Sequence, residues 1–106
     1  MTGSEIATLK QGISLAAATA AGVVRVYRAR STIAKGDLQL LRVYSERAVA
    51  LARVSAAGDI ARATMQELIE TSRLIESLPE GNIALPYAMD QLEHLHRSLT
   101  RIIDAF

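Results

Sequence analysis

The residues that come closest to a chemical motif are Glu93-His94-Leu95-His96, which contain the spacing Glu-x-x-His. Helical proteins that bind two metal ions place this motif on two helices, together with two further glutamates. Both histidines of the chain lie in this one motif, and on a helix they point about 200° apart, so they cannot bind one ion together. We therefore expect no metal site and no cofactor, with His94 on the surface and His96 at the edge of the core.

Residues for nucleophilic or acid–base catalysis are equally scarce. The chain has no cysteine, and any Ser-His-Asp arrangement would need the same two histidines. The glycines are isolated and form no phosphate-binding loop. The pairs Glu67–Glu70 and Glu76–Glu80 have the spacing of solvated carboxylates on an amphipathic helix. We expect no catalytic residues and no enzymatic activity.

Charge is divided unevenly along the chain. Residues 1–53 carry eight basic and three acidic groups, whereas residues 54–106 carry four arginines and eight acidic groups. No helix-turn-helix pattern accompanies the basic segment 25–42, and few aromatic residues are available for base stacking. The other interpretation is that the basic half pairs with the acidic half, within one folded chain or between subunits. The basic residues that could contact nucleic-acid phosphates are Arg25, Arg28, Arg30, Lys35 and Arg42.

The elements that must position these residues are predicted to be helices. Apolar residues make up 50% of the chain, and alanine, the best helix former, is abundant. Only two prolines occur, and β-branched residues never form the alternation of a strand. A chain of 106 residues can form one core. We expect a single all-α domain over residues 1–106, a small bundle of three to four helices.

Four helical segments follow from apolar spacing, N-cap residues and the stop signal Pro79-Glu80-Gly81-Asn82. Their expected bounds are Ser4 to a point between Arg28 and Lys35, then Asp37 to the stretch 55–59, then 60 to 78, and finally Leu85-Pro86 to the end of the chain.

The segment 37–78 could instead be one long kinked helix. Gly58 and Asp59 could end one helix and cap the next. However, the positions spaced by seven from Leu40 to Ile75 are apolar except for Arg47, and a turn has no reason to preserve that phase. We favour the continuous helix, with the first and fourth helices packed along its two halves. The alternative is a compact four-helix bundle.

The stretch from Gln11 to Val24 carries no charge and raises the question of a membrane span. As a helix it would be about 21 Å long, shorter than a bilayer core of about 30 Å. Its start is not basic and its middle is not leucine-rich, which disfavours a cleaved export signal. We expect a packing seam in which small residues let another helix approach closely, either within the monomer or against a second copy or a partner.

The first and fourth helices carry seven-residue apolar repeats that are typical of helix–helix seams. Phe106 continues the repeat of the fourth helix at the last position of the sequence. The predicted interface residues are Ile6, Leu9, Ile13, Ala16, Ala20, Val23, Tyr27, Leu92, Leu99 and Phe106.

These features predict a non-enzymatic protein–protein interaction module: an adaptor, an inhibitor or a small assembly subunit. We expect a homo-oligomer such as a homodimer, with another protein as a further partner. One alternative is a nucleic-acid-binding dimer that uses segment 25–42, and another is membrane association through the first helix. The absence of cysteine fits a reducing, cytoplasmic compartment, and the bias toward alanine and arginine is compatible with a GC-rich bacterial genome.

Overall fold

The structure is a computed structural model, and it describes residues 3–53 and 59–105. These ranges contain four α-helices and no strand. The helices form one elongated body of 46 × 21 × 20 Å, so the prediction of a small all-α bundle is confirmed. The helices are α1 (Gly3–Arg30), α2 (Lys35–Ala52), α3 (Asp59–Ser77) and α4 (Leu85–Ala105).

Each helix packs on the next along the chain, and α4 closes the bundle by packing on α1. The connections between α1 and α2 and between α3 and α4 are short, which makes those neighbours antiparallel. Arg42 pairs with Glu76, and Glu46 pairs with Arg73. Because residue numbers rise on α2 as they fall on α3, these two helices are antiparallel as well.

The favoured interpretation of segment 37–78 as one continuous helix is wrong. Helix α2 ends at Ala52, and α3 begins at Asp59 and returns along α2. Folding back lets the apolar stripes of both helices face one common core. The two halves of a single long helix could not pack against each other in this way. The alternative, a four-helix bundle, is the observed one. Residues 54–58, including the proposed helix end at Gly58, lie outside the described residues.

Local signals account for the helix ends. Helix α1 ends at Arg30, within the predicted range, and Ser31 follows it with a left-handed φ of 55°. The Ser31 amide donates to the Tyr27 carbonyl at 2.7 Å, as expected for a residue that terminates a helix. Helix α3 ends at Ser77, before the predicted stop signal, in which Gly81 has a φ of 81°.

The two predicted N-caps, Ser4 and Asp37, lie inside their helices. Helix α1 begins at Gly3, so Ser4 lies within it. Helix α2 begins at Lys35, with Ala34 in the N-cap position and no side-chain cap. Asp37 therefore lies in the first turn of α2, where a carboxylate favours the positive end of the helix dipole.

The core lies along the bundle axis, and helix α4 contributes its regular stripe Leu85, Ala88, Leu92, Leu95 and Leu99. From α1 the buried apolar side chains include Leu9, Ile13, Ala16, Ala20 and Val23. The alanine-rich seam of α1 thus packs inside its own chain.

Helix α1 packs on α2 through small residues at Gly12 and Ala48. A Cβ placed on Gly12 would lie 3.7 Å from the Cβ of Ala48, an ordinary van der Waals contact. Small side chains on both sides of this contact let the helix axes approach closely.

Among the described helices, none combines the length and the hydropathy that crossing a bilayer requires.

Candidate interaction surfaces

The Glu-x-x-His motif lies on α4 where α4 meets α1. His94 is exposed, and Glu93 and His96 are half-buried, as expected for the two histidines. In the ranges 3–53 and 59–105, no cluster of three or more His, Asp or Glu side chains is arranged to hold a metal ion. Glu93 faces arginines instead.

Arg28 of α1 and the carboxylate of Glu93 form a two-pronged ion pair. One Glu93 oxygen accepts hydrogen bonds at 3.0 Å from Arg28 Nη1 and from Arg97 Nη2, and the other accepts from Arg28 Nη2. Asp90 lies 3.5 Å from Arg28. The hydrogen bonds from Arg28 lower the pKa of Glu93, and they raise the pKa of Arg28. This pair therefore joins α1 to α4 with both groups charged.

A groove of about 470 Å³ lies beside this ion pair, between α1 and α4. Its walls include Ala21, Val24 and Ala29, with Arg25 at its edge. His96 also lines it, and the Nδ1 atom of His96 is buried without a hydrogen-bond partner. A second groove, of about 460 Å³, follows the α2–α3 contact.

The predicted nucleic-acid segment is divided by the fold. Arg28 pairs with carboxylates of α4, and Arg42 pairs with Glu76 of α3. Arg25, Arg30 and Lys35 are exposed, and the described part of the structure shows no ion pair for these three. Arg28 and Arg42 of the basic half therefore pair with carboxylates of the acidic half of the same chain. This pairing within one folded chain was one of the interpretations of the sequence.

The predicted interface residues lie mostly inside the monomer. Ile6 is exposed, Tyr27 is half-buried, and Phe106 lies outside the described residues. The other seven have 3% or less of their surface exposed and make contacts within the chain, which corrects their assignment to an intermolecular surface. These seven are Leu9, Ile13, Ala16, Ala20, Val23, Leu92 and Leu99.

Large apolar side chains are exposed elsewhere, on the outside of α1 and α2. Leu40, Val43 and Arg47 are spaced by three and four, so they form one row on the outer side of α2. Leu15 is exposed on α1, which packs beside α2. Leu15, Leu40 and Val43 are between 41% and 46% exposed. We call Leu15, Leu40, Val43 and Arg47 the α1–α2 face.

The opposite pair of helices has its own outer row. Glu67, Glu70 and Leu74 are spaced by three and four on α3, and all three are exposed. Ile83, in the α3–α4 connection, and Tyr87, in the first turn of α4, extend this surface. Leu74, Ile83 and Tyr87 are between 49% and 84% exposed. We call these five residues the α3–α4 face.

These faces were not identified from the sequence, although one signal for them was present. Leu40 begins the spacing of seven that extends to Ile75, yet it is 46% exposed. Leu40 and Val43 fall out of phase with Leu38, Leu41 and Ala48, which are buried. An apolar residue out of phase with the core stripe indicates an exposed apolar row.

Compared with known protein families, curated proteins and solved structures, the chain gives no match. Its function must therefore be inferred from the two faces themselves.

Proposed function

We propose that this protein is a non-enzymatic protein–protein interaction module that associates with copies of itself through the outer surfaces of its helices. The supporting observation is the α1–α2 face, where Leu15, Leu40 and Val43 remain exposed on neighbouring helices. The four-helix core is complete without them, since each helix already buries its own stripe. Exposed apolar side chains that lie together are typical of association surfaces.

One arginine, Arg47, lies in the same row of α2 as Leu40 and Val43. It is exposed, and arginine is enriched at protein interfaces because its guanidinium binds carboxylates in two-pronged geometry. An apolar centre with charged neighbours matches the general composition of an interface core and its rim. The same surface lacks the aromatic residues that would stack on bases.

The test is mass in solution, measured by light scattering over a concentration series. We expect the mass to rise with concentration above that of one chain. Leu40→Ser combined with Val43→Ser should weaken association about tenfold or more, because burial of each such side chain contributes about 1.5–3 kcal/mol. Ile60→Ser is the matched control: Ile60 is 74% exposed but lies at the start of α3, away from this face.

A mass of one chain at every concentration would overturn the self-association. Equal weakening by Ile60→Ser would show that the α1–α2 face is not the surface involved. Retention on nucleic acid that falls steeply between low and moderate salt would favour phosphate binding by the exposed cations Arg25, Arg30 and Lys35 instead.

A further inference from the structure

Ion pairs within the chain leave an uneven set of charges on the outside of the bundle. Arg28, Arg42 and Glu46 of the first two helices pair with side chains of the last two. Among the described residues, the cations outside any ion pair are mostly on α1, α2 and their connection: Lys10, Arg25, Arg30, Lys35, Arg47 and Arg53. The carboxylates outside any ion pair on α3, α4 and their connection are Glu67, Glu70, Glu80 and Asp104.

The two faces carry charged side chains of opposite sign. The α1–α2 face carries Arg47 beside its exposed apolar residues. The α3–α4 face carries Glu67 and Glu70 beside Leu74. Because α1 and α3 each pack on both α2 and α4, these two faces lie on opposite sides of the molecule. Each copy therefore presents a basic apolar surface on one side and an acidic apolar surface on the other.

We propose that the α1–α2 face of one copy binds the α3–α4 face of the next, so that copies associate head to tail; this inference rests on the proposed self-association. Two α1–α2 faces in contact would bring arginines together, and two α3–α4 faces would bring glutamates together. Like charges across an interface oppose binding, whereas opposite charges orient it. Charge complementarity thus favours a second copy, in this orientation, as the occupant of each face.

This orientation has a consequence for size. A head-to-tail contact leaves one face of each terminal copy unoccupied, so further copies can add until a ring closes or a filament grows. We expect masses above that of a dimer at high concentration. A contact between two identical faces would stop at the dimer.

The test exchanges charge on one face, on the other, and on both. Arg47→Glu makes both faces acidic, and Glu67→Arg with Glu70→Arg makes both basic. We expect each of these two variants to associate about tenfold or more weakly than the wild type, because every head-to-tail contact would then join like charges. The variant with all three substitutions restores opposite signs on the two faces, so its association should recover.

These outcomes separate the orientation from the association itself. If the Glu67/Glu70 variant associates like the wild type and the threefold variant stays weak, two α1–α2 faces are in contact, and the head-to-tail orientation is overturned while the proposed function stands. A wild type that remains monomeric overturns both. Helical circular dichroism of each variant identifies any loss of fold, and all three substituted positions are exposed.

Discussion

At the scale of single residues, two buried serines show that burying the same hydroxyl can affect the free energy of unfolding differently. Ser45 on α2 and Ser72 on α3 both have no accessible surface. The Ser72 hydroxyl donates to the Ile69 carbonyl at 2.7 Å, whereas the Ser45 Oγ has no hydrogen-bond partner. A buried hydroxyl without a partner costs about 1–3 kcal/mol. Ser45 is therefore a local defect in an otherwise apolar stripe.

We predict that Ser45→Ala raises the free energy of unfolding by about 1 kcal/mol, because it removes the unpaired hydroxyl and alanine favours a helix. Ser72→Ala is the control and should change stability by about 0.5 kcal/mol or less, since a satisfied hydroxyl is lost. Urea denaturation of both variants measures the difference. A loss of stability in Ser45→Ala would show that its hydroxyl is paired in solution.

At the scale of the helices, the regular repeat of α4 made its buried side correctly predictable from the sequence. Helix α2 was less predictable, because its buried stripe includes Ser45 while Leu40 is exposed. A polar residue inside the stripe and an apolar one outside it shift the apparent phase. The spacing of seven between Leu40 and Ile75 wrongly favoured one continuous helix, because two antiparallel helices can keep that spacing by coincidence.

The candidate site was less predictable than the fold, because a seam within one chain and a seam between chains have the same apolar spacing. Ala16 and Ala20 fit either arrangement, and only the three-dimensional packing buries them within the monomer. The pairing of Arg28 with Glu93 joins residues far apart in sequence, so local patterns could not identify it. The outer rows became visible only once the core had been assigned.

The contact of α1 with α4 should depend on pH through Glu93. Arg28 lowers the pKa of Glu93 in the folded protein, so the carboxylate contributes stability above the ordinary glutamate pKa. That contribution is lost as the pH falls through the lowered pKa. We predict that Glu93→Gln has a lower melting temperature than the wild type at neutral pH, and that the two converge in acid.

The comparison is made by thermal denaturation from neutral pH to about pH 3, below the ordinary glutamate pKa. Glu67→Gln is the control, because Glu67 is exposed and has no ion pair among the described residues. Its melting temperature should follow that of the wild type at every pH. A difference for Glu93→Gln that persists unchanged in acid would contradict a role of the charged pair.

At the scale of the whole molecule, the four described helices pack side by side, and α2 and α3 follow each other across residues 54–58. Lengthening a connection costs little, about 0.6 kcal/mol for each doubling of its length.

We predict that six Gly and Ser residues inserted between Arg53 and Asp59 lower the free energy of unfolding by about 1 kcal/mol or less. The same insertion between Leu68 and Ile69 should abolish cooperative unfolding, since it displaces one half of the α3 stripe from the core. Urea denaturation followed by circular dichroism compares the two variants. Equal damage by the two insertions would contradict the tolerance expected between Arg53 and Asp59.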